Sequence, residues 1–126
     1  MKKNESAENY LETIYILSKK LPVVRSVDIA TELNFKKPSV SVAMKHLREQ
    51  ELITVSDAGF ITLTEAGLAQ ASAIYERHTT LTKMFMMLGV SETTATQDAC
   101  LIEHVISEET FLAIKNHFMN QSKNES

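Results

Sequence analysis

Hydrophobic and polar positions along this chain follow the period of an amphipathic α-helix over most of its length. The first helix shows the pattern, because Tyr10, Ile14 and Leu17 recur at i, i+4 and i+7 and so form one apolar face. Ser6 is a suitable N-cap for this helix. We expect the helix to end near Lys19 and Lys20, so that its apolar face packs inward.

The same pattern predicts two further helices and a hairpin in the first half. Ser26 is expected to cap a short helix over residues 27–33, and Pro38 suits the first position of a third helix. Two β-prone runs, residues 52–55 and 60–63, flank the turn-forming segment 56–59 and predict a β-hairpin. On the third helix the expected buried stripe is Val40, Ala43, Met44 and Leu47, and the expected outer face is Pro38, Ser39, Ser41, Val42, Lys45 and His46.

The second half predicts three more helices. Thr64 is expected to cap a long helix that runs to about Leu88 and is stopped by Gly89. A fifth helix is expected from Ser91 to about Ile106. The sixth is expected to begin at residues 107–109, with Phe111, Ile114 and Phe118 on one face. With only three glycines and two prolines, the fold class expected is mainly α.

Composition and charge narrow the function classes. No apolar run approaches the roughly 18 residues of a membrane span, and the N-terminal residues lack a signal-peptide core, so we expect a cytoplasmic protein with no membrane partner. The single cysteine, Cys100, agrees with a reducing compartment. The net charge of −3 averages two unlike halves, since residues 1–63 carry nine basic and eight acidic side chains whereas residues 64–126 carry four and eight.

The order of elements in the first half is that of a winged helix-turn-helix. A helix fits the major groove of DNA and presents side chains to base edges there. Candidate phosphate contacts are the lysines Lys36, Lys37 and Lys45, and Ser39 and Ser41 are candidates for phosphate or base contacts. Solvated surface lysines are the plain alternative for each of them. The candidate DNA-binding set is Lys36, Lys37, Pro38, Ser39, Ser41, Val42 and Lys45.

The second half carries candidate metal ligands. Cys100, Glu103 and His104 are spaced i, i+3, i+4, which on a helix places a thiolate, a carboxylate and an imidazole on one face. Such donors suit a divalent first-row metal, but one helix cannot complete the coordination sphere. His78 on the fourth helix is the first candidate to do so. Glu12, with Asn9 one turn before it, is the next. His46 and His117 are interpreted as ordinary surface or core histidines.

Three other interpretations compete with a metal-controlled DNA-binding protein. In the first, the protein binds DNA without metal and Cys100 is a redox or thiol sensor. The second is an enzyme that uses the same ligands around an open metal position, which we disfavour because no spare base or nucleophile is evident nearby. The third is a module that binds partners other than DNA.

Several segments of the chain resemble the diphtheria toxin repressor family, which includes iron-dependent repressors and shorter manganese transport regulators. The likeness covers nearly the whole chain and is most specific in the Cys-x-x-Glu-His element of residues 98–107. It also includes residues 9–15, 38–41, 63–67 and 76–78. The resemblance implies a homodimer that binds double-stranded operator DNA when loaded with metal, and it indicates no organic cofactor. The implied domains are a winged helix-turn-helix over 1–63 and a helical metal-binding and dimerisation domain over 64–126.

The resemblance also assigns ligand positions, some of which match the iron branch and others the manganese branch. Cys100, Glu103 and His104 match ligands of the iron branch, His78 matches a ligand of both branches, and Glu12 matches a ligand of the manganese branch. Asn9 stands where the iron branch has methionine and the manganese branch aspartate. Thr82 and Thr96 occupy positions that hold ligands of a second site in the iron branch. Because a thiolate favours softer ions than Mn²⁺, we expect Fe²⁺, with Mn²⁺ and Zn²⁺ as alternatives.

Overall fold

The computed structural model describes residues 6–124, and this part of the chain is mainly helical, as predicted, with one small sheet. The first half contains three helices and the hairpin, and the second half contains three further helices. The element bounds are α1 Ala7–Lys20, α2 Ser26–Leu33, α3 Lys37–Glu49, β1 Ile53–Val55, β2 Ile61–Leu63, α4 Glu65–Met87, α5 Glu92–Ile102 and α6 Glu108–Asn124. None of the helices in this described part combines the length and the hydropathy that a bilayer-spanning segment needs.

The chain divides into two compact units, one ending at Ala73 and the other beginning at Ile74. This division falls inside α4, whereas the sequence places the domain boundary ten residues earlier, between Leu63 and Thr64. The first unit therefore contains α1, α2, α3, the hairpin and the beginning of α4. The second contains the rest of α4 with α5 and α6.

The ends of α1 and α2 follow local capping chemistry. The Ser6 hydroxyl accepts a hydrogen bond from the Asn9 backbone N–H at 3.1 Å, which confirms Ser6 as the N-cap of α1. The predicted Ser26 cap of α2 is wrong by one residue, because Arg25 is the N-cap and its backbone N–H donates to the Asp28 carboxylate at 2.9 Å. At its other end α2 stops at Asn34, which adopts a left-handed conformation with φ of 57°.

The hairpin forms where it was predicted. Its strands are antiparallel and pair Ile53 with Leu63, Thr54 with Thr62 and Val55 with Ile61. Gly59 supplies the positive φ of the turn, and its N–H donates to the Ser56 carbonyl at 2.9 Å. The Ile61 N–H donates outside the hairpin, to the Val24 carbonyl at 2.8 Å, and so attaches the wing to the segment before α2.

The core of the first unit draws on every one of its elements. The apolar faces of the three helices meet the inward side of the hairpin, with Tyr10 and Phe35 in an edge-to-face contact at 5.9 Å between ring centroids. The fully buried large side chains in this core are Leu11, Ile14, Ile29, Val40, Leu47 and Ile53. The predicted stripe of α3 is confirmed for Val40, Met44 and Leu47, while Ala43 is half-buried.

Helix α5 is shorter than predicted. It begins after its N-cap Ser91 and ends at Ile102, four residues before the expected end, and residues 103–105 form a turn. The periodicity of the apolar side chains continues past Ile102, but the backbone does not remain helical. The other boundaries in this unit agree with prediction, since Gly89 follows the end of α4 with φ of 102° and α6 begins at Glu108.

Gly67 lies where the first turn of α4 meets the strand-entry residue Leu52. A Cβ at position 67 would lie 1.9 Å from the Leu52 carbonyl oxygen. That carbonyl is held in place because it accepts the Thr64 N–H at 3.0 Å. The close approach explains a glycine inside a helix, where alanine is otherwise favoured by about 1 kcal/mol.

We therefore expect Gly67→Ala to destabilise the protein by about 1–3 kcal/mol, the usual cost of overpacking. The measurement is equilibrium urea unfolding. Ala66→Gly, at the exposed neighbouring position, is the control for helix propensity alone. A Gly67→Ala protein more stable than the parent would contradict the steric explanation.

Candidate metal centre and nucleic-acid interface

A fully buried carboxylate lies at the centre of the candidate metal site in the second unit. Glu103 has 0% relative exposure, and each of its carboxylate oxygens contacts a histidine. Oε2 lies 3.1 Å from Nδ1 of His78, and Oε1 lies 3.3 Å from Nε2 of His104. The side chains of these histidines are 22% and 8% exposed. The structure thus brings together three of the residues that the sequence singled out.

A turn and a neighbouring helix produce this grouping. The i, i+3, i+4 interpretation assumes that Cys100, Glu103 and His104 are all helical, but α5 ends at Ile102 and Glu103 is its C-cap, with φ of −57° and ψ of −25°. His104 follows in the turn. His78 comes from α4, where it faces the Glu103 carboxylate.

The donor set fits a divalent transition metal. Oxygen and nitrogen donors that bind one ion at about 2.0–2.2 Å lie roughly 2.8–3.6 Å from each other. The two oxygen–nitrogen distances at Glu103 are compatible with this range, and with ordinary hydrogen bonds as well. A buried carboxylate is costly unless a positive charge is nearby. A bound cation would supply that charge, and imidazole and carboxylate groups bind metal in their deprotonated forms.

The remaining predicted ligands lie on α5 and α1. Cys100 is half-buried in the last turn of α5. Asn9 and Glu12 lie in the first unit, one turn apart on α1, with relative exposures of only 5% and 6%. Their participation in a metal site stays a prediction.

The positions of a second iron-branch site carry threonines with ordinary roles. The Thr82 hydroxyl donates to the backbone carbonyl of His78 at 2.7 Å, and Thr96 is exposed on α5.

Sequence reasoning missed Arg77. It precedes His78 on α4, and its Nη1 donates to the backbone carbonyls of Glu103 at 3.4 Å and Ile106 at 3.2 Å. No periodicity or motif marks this role, because the acceptors are backbone atoms of a turn that the sequence predicts as helix.

The candidate nucleic-acid interface is the outer face of α3. Lys36, the N-cap, and Lys37, the first helical residue, are both exposed, and the first turn of the helix contains no acidic residue. A helix N-terminus already carries partial positive charge, so two lysines there are unfavourable for the isolated helix and favourable for a bound anion. This arrangement is suited to a phosphate of a nucleic acid.

The middle of the same face is less charged. Pro38 is the second residue of α3, one position later than predicted, and is followed one turn later by Val42, which is 56% exposed. Ser39 is half-buried, whereas Ser41 and Lys45 are exposed. The face therefore presents two apolar side chains flanked by hydroxyl and ammonium groups, and exposed His46 lies on it as well.

Comparison with known proteins identifies both halves of the chain. Residues 3–59 match the model of the iron dependent repressor N-terminal DNA binding domain. Residues 64–125 match the model of the iron dependent repressor metal binding and dimerisation domain. The chain belongs to the iron dependent repressor family. This confirms the resemblance stated from the sequence, and together with the mainly helical structure it confirms the predicted fold class.

Individual relatives in this family are similar to the chain over most of its length. An HTH-type transcriptional regulator of Methanocaldococcus jannaschii is 34% identical over 115 residues, which are 89% of this chain and 91% of the relative. The transcriptional regulator MntR of Escherichia coli O6:H1 is 33% identical over 113 residues, 90% of this chain and 73% of the relative. The solved manganese regulator SloR has a TM-score of 0.80 and 26% identity, covering 95% of this chain and 55% of that chain.

Family membership supports the interpretation as a metal-controlled DNA-binding protein. The first half is a DNA-binding domain and the second a metal-binding and dimerisation domain, and the protein is a metal-dependent transcriptional repressor. The alternative in which Cys100 is a thiol sensor without metal control gains no support from these comparisons.

We expect divalent metal to stabilise this protein through Glu103 and His78. A ligand at 100 times its dissociation constant stabilises a folded protein by about 2.7 kcal/mol, so the thermal midpoint should rise when Co²⁺ or Mn²⁺ replaces EDTA. His78→Ala should lose most of this rise. His117→Ala, which removes an exposed histidine of α6, is the matched control and should keep it. Equal rises in both variants would exclude His78 from the site.

Proposed function

We propose that this protein is a homodimeric repressor that binds operator DNA of metal-homeostasis genes when a divalent metal, preferably Fe²⁺, occupies the site centred on Glu103. The observation that carries the proposal is the buried Glu103 carboxylate between the imidazoles of His78 and His104. Its location within the half that matches a metal-binding and dimerisation domain supports the same conclusion.

The proposed ligand set extends beyond these three side chains. Cys100 adds a thiolate from the last turn of α5, one helical turn before Glu103. Glu12 and Asn9 add a carboxylate and an amide oxygen from α1. The resemblance to the diphtheria toxin repressor family supports both residues as ligands. Both are also buried, which for the carboxylate of Glu12 is unusual.

Two features of the ligand set bear on the choice of metal. The thiolate of Cys100 favours Fe²⁺, Co²⁺ or Zn²⁺ over Mn²⁺, because soft donors prefer softer ions. Glu12 and the similarity to the manganese regulator SloR favour Mn²⁺. We give more weight to the thiolate, since it belongs to this chain's own donor set, and infer that Fe²⁺ is the physiological effector.

The proposed switch links ligands of the second unit to α1 of the first. When bound, a divalent ion supplies a positive charge and is coordinated by donors from separate helices. Glu12 and Asn9 belong to the DNA-binding half, whereas His78, Glu103 and His104 belong to the other half. Shared coordination favours one arrangement of the halves, in which the two recognition helices of a dimer lie about 34 Å apart. Metal and DNA then tighten each other's binding by the same factor, roughly 5–150-fold.

In the proposed DNA complex, α3 enters the major groove. Lys36 and Lys37 neutralise phosphates at the helix N-terminus, and Lys45 does so two turns further along. Ser39 and Ser41 donate hydrogen bonds to phosphate or base edges. Pro38 and Val42 contact thymine methyl groups, the apolar feature that a major groove offers.

A binding titration on DNA from upstream of the protein's own gene tests the proposed function. We expect weak binding in EDTA and binding tighter by roughly 5–150-fold with Fe²⁺ under anaerobic conditions, with Mn²⁺ and Zn²⁺ compared in parallel. Glu103→Ala should lose the metal response, and His117→Ala should keep it. Tight binding that EDTA does not change would contradict metal control, and absence of binding under every condition would contradict the repressor function at this operator.

We expect residue 100 to tune metal preference. Cys100→Glu replaces the thiolate with the carboxylate found in the manganese branch, so Mn²⁺ affinity should rise relative to that of Co²⁺ or Zn²⁺. Cys100→Ser, which removes the thiolate without adding charge, should weaken binding of all three. The measurement is metal affinity by competition with a chromophoric chelator. Unchanged ratios between these three affinities in Cys100→Glu would remove Cys100 from the ligand set.

A further inference from the structure

The backbone that carries Glu103 and His104 lies outside regular secondary structure. Helix α5 ends at Ile102, and the last carbonyls of a helix have no partners within it. The turn that follows is closed locally, because the N–H groups of Val105 and Ile106 both donate to the Ile102 carbonyl, at 3.0 and 2.9 Å. The hydrogen bonds that close the turn do not use the carbonyls of Glu103 and Ile106, which need other donors.

Arg77 supplies those donors from α4. Its Nη1 is 3.4 Å from the Glu103 carbonyl oxygen and 3.2 Å from that of Ile106, so one guanidinium nitrogen joins the first and last residues of the segment 103–106. The guanidinium also lies 5.6 Å from the centroid of the Phe111 ring, on α6. Arg77 is half-buried and Phe111 is buried, so these contacts are partly shielded from solvent.

Neighbouring residues of α4 therefore contact the same residue of the turn in two ways. Arg77 holds the main-chain carbonyl of Glu103, and His78 lies 3.1 Å from its side-chain carboxylate. Because both the main-chain carbonyl and the side-chain carboxylate of Glu103 are contacted, the number of conformations open to this residue is reduced. We propose that Arg77 is a positioning residue, which orders the 103–106 turn in the metal-free protein and so presents Glu103 and His104 in their binding geometry.

This inference rests on the proposed metal site and adds a residue that is not itself a ligand. If Arg77 did not order the turn, metal binding would have to restrict the backbone of residues 103–106, and the entropy lost would weaken the affinity. Contacts that orient ligands without binding the ion typically change metal affinity 10–100-fold. We expect a loss of this size when the guanidinium is removed.

The test uses Arg77→Met, which keeps much of the aliphatic stem, and Arg77→Lys, which keeps the charge without the planar guanidinium. Lys115→Met is the matched control. Lys115 pairs with Glu76, the residue beside Arg77 on α4, so this substitution removes a cation from the same unit without changing a residue that contacts the turn. The full-length proteins are compared by hydrogen exchange of the Val105 and Ile106 amides without metal, by Co²⁺ affinity, and by the visible absorption bands of bound Co²⁺.

We expect Arg77→Met to accelerate exchange at both amides, to weaken Co²⁺ binding 10–100-fold and to shift the Co²⁺ bands, with Arg77→Lys between it and the parent. Lys115→Met should match the parent in all three measurements. Parental exchange and affinity in Arg77→Met would overturn the inference, and if Arg77→Met does not fold, the same result in Arg77→Lys would overturn it. A parent protein that binds no Co²⁺ would instead refute the proposed metal site, while the exchange rates would still test the turn.

Discussion

The burial of one carboxylate, that of Glu103, is the constraint on which the second unit depends. A buried ionised carboxylate is expensive, and its neighbours must offset the cost with charge or hydrogen bonds. Here the neighbours are two imidazoles, one from α4 and one from the adjacent turn residue. A buried carboxylate that needs a cationic or hydrogen-bonding partner is suited to the proposed metal site, because imidazole nitrogens are metal ligands when they lose their protons.

The two halves place charged groups in opposite ways. In the first unit, the N-terminus of α3 adds lysines to a helix end that is already positive, and nothing in its first turn neutralises them. In the second unit, negative charge is taken out of solvent and surrounded by imidazoles. The first arrangement is favourable beside an anion and the second beside a cation. Together they suit a protein whose contact with DNA depends on a metal.

Irregular backbone carries the site, and regular structure holds that backbone in place. Glu103 and His104 lie in the turn after α5, whereas their restraints come from consecutive residues of α4, a helix of 23 residues. Arg77 donates to the carbonyls of Glu103 and Ile106 in the turn that follows α5. The long helix thereby contacts both the main chain and the side chain of Glu103.

The sequence by itself determined the order of elements and the residue types of the site. Local causes suffice for these: apolar residues at helical spacing give the helices, Ser6 and Gly89 mark helix ends, and the segment 56–59 closes the hairpin. The Cys-x-x-Glu-His element was sufficient to indicate metal chemistry and the family. Only the tertiary structure shows where α5 ends, since the periodicity of apolar side chains continues to Ile106. The carbonyls of Glu103 and Ile106 instead accept hydrogen bonds from Arg77, 26 and 29 residues earlier in the chain. The tertiary structure likewise decided that position 67 excludes a side chain, because the Leu52 carbonyl approaches it from outside the helix. Such contacts join residues that are distant in sequence, and no pattern of neighbouring residues encodes them.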